Sequence, residues 1–135
     1  MSTIKNKIIM IKEAYVSFEI AKLLKEKGFD WDCNAIYGRR GEFQRNTDRA
    51  FNNGGLHVTS APTHQMACAW LREVHKVLIV IDAYHTDHWE GYIDSFEIRI
   101  YSHASTIIVP NEIAHHTDYT EAVEAAIKYS LENLI

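Results

Sequence analysis

The sequence predicts an α+β fold: a mostly antiparallel sheet with two or three packed helices, the last of them an amphipathic helix at the C-terminus. Three observations carry this. Residues 76–84 (KVLIVIDAY) form a continuous apolar run rich in β-branched side chains. In residues 92–101 (YIDSFEIRIY), Phe96, Ile98 and Ile100 alternate with Glu97, Arg99 and Tyr101, the period of a strand with one wet face. Near the C-terminus Val123, Ala126, Ile127, Ser130, Leu131 and Leu134 recur at helical spacing.

The elements follow in order. Residues 8–16 (IIMIKEAYV) read as extended. Ser17 is an N-cap for a helix over about 18–27, with Ile20, Leu23 and Leu24 on its apolar face and Gly28 as the C-cap. Residues 33–38 suggest a short strand. Residues 39–55 (RRGEFQRNTDRAFNNGG) are polar and punctuated by Asn and Gly, and read as a long loop. Leu56–Thr59 suggests another strand. Ala61-Pro62-Thr63 introduces a second helix over roughly 63–74, with Met66, Ala67, Trp70, Leu71 and Val74 at helical spacing. The run at 76–84 is apolar on both faces, which predicts a central strand. It pairs antiparallel with 92–101 across the turn HTDHWEG, and Thr106–Val109 adds a further strand before Pro110. Asp118-x-x-Glu121 is a capping-box pattern that starts the last helix.

The totals limit the function classes. A chain of 135 residues suits one domain spanning 1–135, large enough to bury a core without a disulfide or metal staple. Net charge is −4, divided as +3 over residues 1–50 and −7 over 51–135. That balance speaks against bulk nucleic-acid binding, which needs an overall basic protein. Cys33 and Cys68 have no metal-type spacing and no secreted framework. No apolar stretch approaches the length of a membrane span, and the N-terminus lacks a signal-peptide pattern. The expectation is a cytoplasmic protein without a cofactor.

Three segments, YVSFEIAKLLKEKGFD (15–30), APTHQMACAWLREVHK (61–76) and YTEAVEAAIKYSLENLI (119–135), together resemble a group of small, uncharacterised phage and prophage-type proteins of gut bacteria. The resemblance covers about a third of the chain and implies a phage or mobile-element origin. It implies no activity and no catalytic residue.

Three constellations carry candidate chemistry. Arg39, Arg40, Arg45 and Arg49 fall within eleven residues, interleaved with Phe43 and Phe51 and close to Tyr37. Guanidinium forks hold phosphate and stack on base planes, so this loop is the candidate ligand-binding site for a nucleotide or other phosphorylated small molecule. The plainer alternative pairs these arginines with Glu42 and Asp48. Next, His57-Val-Thr59 and His103-Ala-Ser105 match the His-x-Thr/Ser motif pair of two-histidine phosphoesterases, where the two imidazoles act as general base and acid from neighbouring strands. That gives a hydrolase alternative with His57, Thr59, His103 and Ser105 as its catalytic residues. Last, His85-Thr-Asp87-His88 offers His and Asp donors for a metal, against the plainer reading of a solvated turn. Cys33, beside Asp32, is a nucleophile or a small buried hydrophobe. No convincing catalytic set emerges. The expected function is a non-catalytic accessory protein that binds a partner protein or a phosphorylated small molecule, with homodimerisation possible.

Overall fold

The computed structural model describes residues 13–45, 50–55, 57–84 and 95–135. Helix α1 (Phe18–Glu26) starts where the Ser17 hydroxyl accepts from the Ile20 amide at 3.2 Å. It ends in a Schellman arrangement: Phe29 N–H donates to the Leu24 carbonyl and Gly28 N–H to that of Lys25. Gly28 is the residue just past the helix, at φ +93°, where a side chain would be strained. Phe29 and Leu24 are both buried, which adds the apolar contact of that motif.

Three short strands follow around helix α1: β1 (Ala35–Tyr37), β2 (Phe43–Arg45) and β3 (Thr59–Ser60), antiparallel in the order β2-β1-β3. Helix α2 (His64–His75) is capped by Thr63, whose hydroxyl accepts from the Met66 amide at 3.1 Å. A single left-handed residue, Lys76 (φ 60°), joins α2 to strand β4 (Val77–Tyr84). Strands β5 (Ser95–Ser102) and β6 (Ser105–Ile107), helix α3 (Asn111–Ala114), strand β7 (His115–His116) and helix α4 (Tyr119–Asn133) complete the order. The Asp118 side chain caps α4 by accepting from the Thr120 amide at 2.9 Å.

The second sheet is also antiparallel. β5 is its hub: β4 lies along one edge, while β6 and β7 divide the other. The β4–β5 register sets Ile79 opposite Ile100 and Ile81 opposite Ile98, so one face collects Val77, Ile79, Ile81, Ile98 and Ile100. Helices α2 and α4 cover this face, and α1 packs on α4. The opposite face bears Leu78, Val80 and Asp82 beside Tyr101, Arg99 and Glu97. Burying the first face removes several branched side chains from water at about 1.5–3 kcal/mol each, the main favourable contribution to the fold.

The α+β class, the three long helices and the β4–β5 pair are as the sequence predicts. Four details differ. β4 is an edge strand among the described residues, and Leu78 is 42 % exposed, so the run at 76–84 is not central. Its apolar open face lies beside Tyr101 and Arg99, with the Tyr101 ring and the aliphatic stem of Arg99 as neighbours instead of a helix. The polar stretch 39–55 contains β2, whose three residues are all exposed and therefore lack any apolar alternation. β3 begins at Thr59, later than the expected Leu56. Helix α3 and strand β7, one turn and two residues long, carry no periodic signal. No helix among the described residues is long and apolar enough to cross a membrane.

Candidate functional site

Strands β1 and β2 form a hairpin with Ala35 opposite Arg45 and Tyr37 opposite Phe43. Its turn is closed by Gly38 N–H donating to the Glu42 carbonyl at 2.9 Å and Gly41 N–H to the Gly38 carbonyl at 3.0 Å. Gly41 sits at φ +86°, and a Cβ there would come within 2.8 Å of the Phe18 ring, so the turn rests directly on α1. Arg39 and Arg40 occupy the tip. Continuing the β1–β3 ladder past Tyr37–Thr59 sets Arg39 opposite His57. There the Arg39 guanidinium meets His57 Nδ1 at 2.7 Å. A guanidinium only donates, so Nδ1 is the acceptor in this contact.

The arginines of this hairpin have no carboxylate partners among the described residues. The Glu42 carboxylate turns back and accepts from the Arg40 backbone amide at 2.9 Å. By contrast Arg72 pairs with Glu73 at 2.8 Å, and Arg99 pairs with Asp82 at 2.9 Å. Arg39, Arg40 and Arg45 are all exposed. Asp48 and Arg49 lie outside the described residues. Phe43, on the same side of β2 as Arg45, is 44 % exposed and leans on Tyr15 (5.1 Å between centroids) and Tyr37 (5.5 Å). Tyr37 itself is a support: its hydroxyl donates to the Val16 carbonyl at 2.6 Å, so that group is committed to the backbone. Lys25 of α1 donates to the carbonyls of Gly55 and Val58 at 2.8 and 2.7 Å, which fixes the segment carrying His57.

The two His-x-Thr/Ser motifs stand apart in the topology. Thr59 lies in β3 of the three-stranded sheet and Ser105 in β6 of the four-stranded one. His103 and Ala104, at φ 52° and 68°, form the tight turn between β5 and β6. The His103 ring meets the Ser102 hydroxyl at 3.2 Å, and its backbone N–H donates to the Lys76 carbonyl. The paired strands that this chemistry needs are therefore not formed. His85, Asp87 and His88 lie outside the described residues; among the described residues no group of three metal-ligating side chains converges. Cys33 is buried, and burial first, then the Asp32 charge, pushes its thiol up to about 12. It is therefore a protonated core side chain at neutral pH, not a nucleophile.

The structure also contains a site that the sequence did not indicate. His64, the first residue of α2, is 8 % exposed, and its Nε2 meets Glu124 Oε2 of α4 at 2.7 Å. The Ser17 amide donates to the same carboxylate at 3.2 Å. Burial alone would push the Glu124 carboxyl up, but the hydrogen bonds from His64 and Ser17 together outweigh it and hold the group below its usual range. Beside this pair a cleft of about 530 Å³ opens between α2, α4 and β4. The pair spans 60 residues of sequence, and His64 sits within an ordinary helix-start pattern, so no local signal marks it.

Comparisons with known proteins add nothing to this: no protein family, no curated protein and no solved structure matches the chain.

Proposed function

We propose that this chain is an accessory protein of phage or mobile-element type that works by non-catalytic binding, and that its ligand is a small phosphorylated molecule held at the β1–β2 hairpin. The observation that carries the ligand reading is the contrast among arginines: those of the hairpin lack carboxylate partners among the described residues, whereas Arg72 and Arg99 are paired. Guanidinium groups without carboxylate partners beside an exposed aromatic ring suit phosphate oxygens and a stacked base. Arg39 and Arg40 would take the phosphate from the tip and Arg45 from along β2, with Phe43 offering its ring. The resemblance of the helical segments supports the origin, and the placement of the two His-x-Thr/Ser motifs on different sheets favours binding over hydrolysis by that pair. Such a protein would act in the cytoplasm of a bacterial host.

Thermal-shift titration with AMP, ADP, cyclic AMP and inorganic pyrophosphate tests the reading. At least one is expected to raise the melting temperature, less so at high salt. The Arg39→Ala, Arg40→Ala double variant should lose that shift while its ligand-free melting temperature stays put. No stabilisation by any of the four, or equal stabilisation of the double variant, overturns it.

A further inference from the structure

Strand β4 is left unfinished along one line. Its outer edge pairs with no strand among the described residues, so alternate backbone N–H and C=O groups of Val77–Tyr84 face outward. On the open face of the sheet Leu78 is 42 % exposed and Val80 partly exposed. On the helix-covered face Ile79 and Ile81 remain partly exposed where the cleft opens. Sheet edges are ordinarily guarded against pairing with another chain by lysine, proline, a bulge or short length. β4 has none of these. It is eight residues long, its register with β5 runs unbroken from Val77–Ser102 to Tyr84–Ser95, and Asp82 is its one charged residue.

The sequence of β4 selects the strand that fits this edge. A two-fold axis normal to the sheet sets an edge strand antiparallel to its own copy and keeps the helix-covered faces on one side. Directly opposed residues then share a face, so one residue stands opposite itself. With Ile79 in that place, Val77 opposes the partner's Ile81, Leu78 opposes the partner's Val80, and Lys76 opposes the partner's Asp82. Apolar meets apolar, and the carboxylate meets an ammonium. Centring on Leu78 sets Lys76 against the partner's Val80. Centring on Val80 or Ile81 sets Asp82 against the partner's Leu78 or Val80, and centring on Asp82 opposes two carboxylates, which is destabilising.

Both charges are placed for this. The Lys76 carbonyl accepts from His103 N–H at 3.0 Å beside the Val77–Ser102 pair, so its backbone continues the ladder. Lys76 is exposed, and its ammonium donates to the Glu73 carbonyl at 3.2 Å without a carboxylate partner among the described residues. The Asp82 side chain stays 44 % exposed while paired with Arg99.

We propose that the β4 edge is a homodimer interface, in which two copies of this chain join their four-stranded sheets antiparallel with Ile79 opposite the partner's Ile79. The pairing satisfies the open edge, runs Leu78 and Val80 of both copies into one apolar stripe, and gives Ile79 and Ile81 apolar neighbours on the covered side. It uses no residue of the β1–β2 hairpin.

Sedimentation equilibrium of the full chain over about a hundredfold range of concentration should show reversible monomer and dimer. Leu78→Lys places a lysine against the partner's Val80 twice in each dimer. It should raise the dimer Kd at least about tenfold, with an unchanged circular-dichroism spectrum because the site is exposed in the single chain. Lys76→Glu, facing the partner's Asp82, should also weaken the dimer, more at low salt than at high. Disulfide trapping reads the register, in a Cys68→Ala background because Cys68 lines the adjoining cleft. Opposed Cα atoms lie about 4.5–5.5 Å apart, so Ile79→Cys should link to its copy under mild oxidation. Ile81→Cys should not, because it and its copy stand about 14 Å apart along the strands. A monomer at every concentration overturns the proposal, and is the result expected if residues 1–12 of the same chain or a different protein cover this edge. Open-ended association, a dimer that Leu78→Lys leaves intact, or Ile79→Cys linking no better than Ile81→Cys overturns it as well.

Discussion

The two sheets are built on different terms. The four-stranded sheet gives one face to the core, where Val77, Ile98 and Ile100 are nearly or fully buried. The three-stranded sheet has strands of two or three residues, and β2 is exposed throughout. The first is held by packing, the second by its turn, its aromatic cluster and Lys25. Where packing fixes the residue types, little freedom remains for ligands. Where hydrogen bonds and a few rings suffice, side chains such as Arg39, Arg40 and Arg45 are free to serve another purpose.

Mutations can sharpen or break this contrast. The largest effect is expected for Ile100→Ala: a fully buried side chain at the sheet hub should cost about 2–5 kcal/mol in urea unfolding, with a lowered midpoint. A loss no greater than that of Phe43→Ala, in the exposed sheet, would break the comparison.

Next comes Glu124→Gln, expected to cost about 1–2 kcal/mol at neutral pH, because the partly buried carboxylate loses its charge-assisted bonds. The sign with pH follows from the depressed carboxyl. Its stabilisation is present above the ordinary glutamate range and is lost as pH falls through the lower folded value. The variant should therefore show a flatter acid limb than the parent in denaturation followed from neutral to low pH.

Gly28→Ala should cost about 1 kcal/mol, since a Cβ there meets open space and only the left-handed backbone resists it. Equilibrium unfolding measures it directly. The smallest effect belongs to Arg39→Ala with Arg40→Ala, within about 0.5 kcal/mol of the parent chain in stability, as befits exposed side chains without ion-pair partners.

The same contrast explains what the sequence discloses. Ser17, Thr63 and Asp118 announce their helices because a capping side chain acts over two or three residues. The stripe from Val123 to Leu131 is visible because one helix face is buried along its length. The β1–β2 hairpin is hidden because an edge strand of exposed residues has no alternation to read. The edge position of β4 is hidden for a different reason: an apolar run describes side chains, while strand order depends on which neighbours arrive from elsewhere in the chain. At the candidate sites, the clustering of arginines along the chain is legible, but their freedom from Glu42 is a matter of rotamers and backbone bonding. The His64–Glu124 pair and its cleft exist only once α2 and α4 have met.

The bond from Ser17 to Glu124 joins residues 107 apart. During synthesis, α4 is the last of the described elements to leave the ribosome. Until then α1 lacks the helix on which it packs, and His64 lacks its carboxylate. A nascent chain stopped before α4 would leave the apolar faces of α1 and α2 without the helix they both pack on, so the described core closes only once α4 is present.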